Sequence, residues 1–140
     1  MTVSVVDADL ANISSEEALL DGQYEMAERW LAQGADIAAV KSVLGFMEQH
    51  PGWDFGTPGA LVHFVEKFHR KGYQELLVQS VGRAPTVHTL WMLNRIINGE
   101  QDAERKAAYV ELLSRVASDS GNDEEVIAQA REYLEFQSEE

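Results

Sequence analysis

Cysteine is missing from this 140-residue sequence. Its absence removes disulfides, zinc–thiolate sites, iron–sulfur clusters and thiol nucleophiles, and suits a chain working in a reducing cytoplasm. Apolar runs are short. None approaches the length of a membrane span, and the opening residues MTVSVVDADLANISSEE lack the positive start and apolar stretch of a signal peptide. The expectation is a cytoplasmic protein. Alternating strand patterns bounded by turn residues are nearly absent as well, whereas helical periodicity recurs along the whole chain. Motifs of catalysis are equally scarce. No Gly-x-Ser-x-Gly elbow occurs, and Gly56, Gly59 and Gly72 lack both the spacing and the following lysine of a phosphate loop. These absences predict a protein that is not an enzyme and carries no cofactor.

Positive charge is the other shortage. Eleven Lys and Arg stand against 24 Asp and Glu, for a formal net charge of −13. A chain this acidic repels phosphate backbones and anionic lipid, so neither nucleic acid nor membrane is an expected partner, and a basic protein is. The acids are unevenly spread. Glu16, Glu17, Asp21, Glu25 and Glu28 lie near the start with Arg29 as the one base before residue 41. The middle, with Lys41, Lys67, Arg70, Lys71, Arg83 and Arg95, is slightly basic, and the stretch from Glu100 onward is acidic again. Such a pattern serves either as a solubilising surface or as a field that steers a partner.

The first helix is predicted from Ser14 or Ser15, a hydroxyl cap followed by Glu16 and Glu17, to Gly34, with Leu20, Tyr24, Ala27 and Leu31 facing inward. Asp36 caps a second, in which Ile37, Val40, Leu44 and Met47 repeat at helical spacing and Gly45 marks close packing; His50-Pro51-Gly52 ends it. Thr57-Pro58 predicts a third start, with Leu61, Phe64, Val65 and Phe68 inward up to Gly72. A short helix from Tyr73 to Val81 follows, then one opened by Ala84-Pro85-Thr86, and two more over about Asp102–Ala117 and Asp123–Phe136. Val110, Leu113, Val116 and Ala117 line the first of that last pair; Val126, Ile127, Ala130 and Leu134 line the second. Helices of this length joined by short turns predict an all-α fold of about seven helices, antiparallel pairs stacked as a HEAT-like α-solenoid or an irregular bundle. One domain over residues 1–140 is expected, with 1–13 a flexible lead-in.

A few constellations invite chemistry. His63-x-x-Glu66-x-x-His69 places neighbours three apart on a helix, but the six-residue step turns the two histidines away from each other, and no second Glu-x-x-His pair exists to complete a di-metal bundle. The plainer reading is a solvated face with Glu66 and Arg70 paired at i,i+4, and no metal. His50 and His88 belong to no nucleophile motif. Trp91 reads as core and Arg95 as a structural ion-pair partner. Trp53, in a loop beside Asp54 and Phe55, reads either as an aromatic anchor for a protein partner or as a side chain that tucks back with Phe55 to cap two helices.

The stretch Tyr73-Gln-Glu-Leu-Leu-Val-Gln-Ser-Val-Gly-Arg-Ala-Pro-Thr86, running through His-Thr-Leu-Trp-Met-Leu-Asn-Arg-Ile-Ile-Asn98, together with Gly56-Thr-Pro-Gly-Ala-Leu-Val-His63, resembles the all-helical immunity proteins of bacterial polymorphic-toxin and contact-dependent inhibition systems. That resemblance implies a small antidote that binds and blocks a cognate toxin domain. Many such toxins are nucleases with basic clefts, which an acidic surface would imitate. The resemblance does not indicate which face binds. From the residues alone, Asp54, Glu75, Asp102 and Glu104 are the acids selected at helix starts and loops, and Trp53 and Tyr109 the aromatic anchors. A partner-binding α-solenoid adaptor without a toxin is the competing reading.

Overall fold

The computed structural model describes residues 3–56 and 58–138. Among them are eight helices and no strand: α1 (Val3–Ala11), α2 (Glu16–Ala32), α3 (Ile37–Gln49), α4 (Ala60–Glu66), α5 (Tyr73–Arg83), α6 (Val87–Gly99), α7 (Ala103–Ser118) and α8 (Glu124–Ser138). The all-α expectation holds, with one helix more than periodicity predicts. The chain divides into two compact units, Met1–Leu76 and Leu77–Glu140.

In the first unit the additional helix is α1, which occupies the segment expected as a flexible lead-in. Its Val6 and Leu10 are buried, and it packs on α3. A polar clasp adds to that packing. Trp30 of α2 is fully buried, and an indole N–H taken from water needs an acceptor. Asp9 supplies it: Trp30 Nε1 donates to Asp9 Oδ2 at 2.7 Å, and Arg29 Nη1 donates to the same oxygen at 2.8 Å. Partial burial of Asp9 pushes its pKa up, but the two hydrogen bonds and the charge of Arg29 outweigh this and hold it below the ordinary value.

Ser15 caps α2 by accepting from the Ala18 amide at 3.1 Å, as the sequence predicts. The inward face of α2 differs from the prediction. Leu19, Gln23, Met26, Ala27 and Trp30 point into the core, whereas Leu20, Tyr24 and Leu31 are 38%, 57% and 37% exposed. Two apolar stripes run side by side on this helix, and the one containing Trp30 buries the larger side chain. Gln23 turns its carbonyl, at 1% exposure, onto the Leu61 amide at 3.1 Å and thereby caps α4 from a neighbouring helix.

Asp36 caps α3 through the Ala38 amide at 3.0 Å, and Ala39, Val40, Val43, Leu44, Phe46 and Met47 form its inner face. Gly45 marks no close packing: a Cβ there would meet nothing within 4 Å. The expected Thr57 cap lies outside the described residues, and α4 begins instead behind Gly59, which takes the N-cap position. Glycine is required at that position because a Cβ would collide with the Phe55 carbonyl and sit 2.8 Å from Gln23 Oε1. The helix ends at Glu66, earlier than Gly72. Arg70 stands at φ 64, so the backbone has left the helical path before Gly72.

In the second unit α6 starts with a reciprocal capping box: Thr86 Oγ1 accepts from the Thr89 amide at 3.0 Å, and Thr89 Oγ1 accepts from the Thr86 amide at 3.1 Å. Leu90, Met92, Leu93, Ile96 and Ile97 are its buried face. Trp91 is not core; it is half-buried, with the Arg95 guanidinium 5.1 Å from its ring centroid. Residues 119–123 join α7 to α8, where Asn122 Nδ2 donates to the Val116 carbonyl at 3.0 Å and closes the end of α7. Leu112, Leu113, Val116, Val126 and Ala130 are buried in this pair; Val110, Ile127 and Leu134 are half-buried. Gln137 fastens α8 to α6 by donating to Asn94 Oδ1 and Asn98 Oδ1, both at 2.9 Å.

A candidate protein-binding surface

The face of α2 left outside the core defines the site. At about 100° per residue, Leu20, Tyr24, Ala27 and Leu31 fall within a stripe about 60° wide, and Glu17, Asp21 and Glu28 follow within about 90° of its centre on the side away from the core. All three acids are exposed. Glu25, further round, accepts from Arg29 Nε at 3.3 Å. Along its other edge the stripe meets α4. Tyr24, Ala27, Glu28 and Leu31 on one side, with Ala60, His63, Phe64 and Lys67 on the other, line an open cleft of about 250 Å³. Phe64 forms its floor, edge-on to Trp30 at 5.4 Å between ring centroids. The helices that hold the cleft are themselves fixed by Gln23 capping α4 and by Glu16, whose carboxylate accepts from the Asp54 amide.

This surface has the composition of an interface: an apolar centre with an exposed tyrosine, and a charged rim of mostly one sign. Among the other depressions, two are lined largely by apolar surface. One, about 850 Å³, runs between α1 and α3 over Leu10, Ala38, Gly45 and Phe46, with Asp7 and Lys41 at its rim. The other, about 510 Å³, lies between α7 and α8 over Val110 and Leu134.

The six residues selected from sequence are distributed over both units. Trp53 is half-buried and stacks on His50, ring centroids 4.0 Å apart and 29° between planes, with Phe46 edge-on at 5.8 Å. Phe55 beside it is fully buried, so at Phe55 the tucked-back alternative is the one realised. Asp54 turns its carboxylate onto the Gly56 amide at 2.8 Å. Glu75 is exposed in the first turn of α5. Asp102 is the N-cap of α7, accepting from the Arg105 amide at 2.9 Å, and Glu104 is exposed in the turn that follows. Tyr109, half-buried, lies two turns along α7 on the Asp102 side, while Glu104 projects about 200° away from Asp102. Two of the four selected acids are thus engaged in local turns.

Among the described residues no group of three or more His, Asp or Glu is arranged to hold a metal ion. His69 lies past the end of α4, where its Nε2 is 3.4 Å from Gln74 Nε2. Missed from sequence were Leu20, Tyr24 and Leu31, assigned to the core, and Asp9 and Trp30. The excess of apolar residues on α2, more than one face can bury, is the signal that would have exposed the first three. Comparison with models of known protein families, with curated proteins and with solved structures finds no match.

Proposed function

We propose that this chain is an immunity protein, binding a cognate toxin domain that is basic and of the nuclease kind, and neutralising it through an acidic helical surface. The observation that supports the reading is the α2 face, where the exposed apolar stripe of Leu20, Tyr24 and Leu31 is bordered by Glu17, Asp21 and Glu28. Apolar side chains left in water at that density are costly unless a partner covers them, and the net charge of −13 would draw a basic one quickly. Nothing in this role requires a catalytic group. The protein acts by covering a basic surface of its partner.

The deciding experiment is co-purification with the product of the gene immediately upstream, combined with a growth assay of that product alone and together with this chain. A tight complex that abolishes toxicity is the expected result. An upstream product that is harmless, or that fails to bind, overturns the proposal. A second reading, a helical adaptor with no toxin partner, draws on the α1–α3 groove, whose rim pairs one acid, Asp7, with one base, Lys41, and so favours no charge on its occupant. Growth protection separates the two readings.

A further inference from the structure

We infer that the α2–α4 cleft receives a basic amphipathic helix of about three turns from its protein partner. The inference rests on the protein-binding reading of this surface, and it specifies the shape and chemistry of the occupant. Leu20, Tyr24 and Leu31 are spaced at four and seven residues along one straight helix, the periodicity of a ridge that packs against another helix. From Leu20 to Leu31 the stripe is roughly 16 Å long at the α-helical rise. Over Tyr24, Ala27 and Leu31 the α4 wall makes the stripe a groove with Phe64 and Ala27 at its bottom, and Leu20 extends the stripe past the end of that groove.

Charge then specifies the occupant. On the α2 edge Glu28 lines the cleft, and Glu17 and Asp21 continue the acidic row along the same side of the helix beyond it; on the α4 edge stand Lys67 and His63. A helix seated there places its lysines or arginines against α2 and a neutral or acidic edge against α4. The two edges therefore fix which way round it lies. A second copy of this chain is a poor occupant, because two bodies of charge −13 repel. Anionic lipid is disfavoured for the same reason.

The test uses the intact, isotopically labelled chain and three synthetic helical peptides of about four turns. One carries a leucine ridge with lysines along one edge, the second has the same composition scrambled, and the third has glutamate in place of each lysine. The expected result is saturable binding of the first alone, with amide shifts confined to α2 and α4. Tyr24→Ala and Leu31→Ala should each weaken it by about tenfold, Tyr24→Ala with thermal stability unchanged and Leu31→Ala, at 37% exposure, with a small loss that leaves the fold intact. Equal binding of the scrambled peptide, or shifts spread over other acidic surfaces, overturns the inference. So does sedimentation as a dimer that Tyr24→Ala dissociates, which would make a second copy the occupant. A toxin-silencing complex indifferent to Tyr24→Ala and Leu31→Ala would remove the cleft and leave immunity standing. Peptide docking in the cleft without any toxin would do the reverse.

Discussion

Asp9 shows how a single exposed-looking residue can hold a helix in place. Its carboxylate satisfies the indole of a fully buried tryptophan 21 positions away, and no local pattern in the sequence announces a contact of that separation. Asp9→Ala should therefore destabilise the first unit by about 1–3 kcal/mol, the cost of a buried donor left without its acceptor, with Asp9→Asn losing less. Because the folded pKa lies below the ordinary value of 3.8, the charge contributes stability above that pH. The contribution is lost as pH falls through the folded value. Urea unfolding at pH 7 and at pH 3 should accordingly show the difference between the parent chain and Asp9→Asn shrinking in acid. Gly59 makes a second residue-scale case. Gly59→Ala drives a methyl group into the Phe55 carbonyl and is expected to cost more than about 2 kcal/mol, read as a lower denaturation midpoint at unchanged slope.

At the scale of the element, the helix starts at Ser15, Asp36 and Thr86 were legible because a cap is a local bargain between a hydroxyl or carboxylate and an amide two or three residues on. Thr86→Ala should cost about 1 kcal/mol by removing half of the reciprocal box, and Thr86→Ser should restore most of it. Which side of α2 faces inward was not legible. Leu19 and Leu20 are adjacent and equally apolar, so the phase depends on where Trp30 and α4 lie, which is tertiary information. The same limit hid the exposed stripe, since a residue assigned to the core cannot also be a candidate for binding. Tyr24→Ala serves as a check on the observed phase: at 57% exposure it should change unfolding free energy by no more than about 0.5 kcal/mol, whereas a core tyrosine would cost several times that. Helix ends dictated by long-range packing, such as the early stop of α4 at Glu66, were likewise beyond local pattern.

For the whole molecule, charge is the property read most directly from sequence, and its consequence is kinetic. Association with a basic partner should slow markedly between low and physiological salt while dissociation changes little, as measured by stopped-flow mixing. Charge reversal at the start of α7 requires care in interpretation, because Asp102 is also a cap. Asp102→Asn removes the charge and keeps the hydrogen bond, so a loss of partner affinity in Asp102→Asn reports electrostatics, while one seen only in Asp102→Lys reports a damaged helix.

The three tryptophans occupy three different surroundings, and together they make the protein its own optical gauge. Trp30 emits from a dry interior with its indole N–H on a carboxylate, so its colour should shift to the red when α1 lifts away. Trp53 lies flat against an imidazole, and Trp91 beneath a guanidinium in the other unit. Variants keeping one indole at a time would let each unit's melting be followed in a separate trace, without dyes or labels.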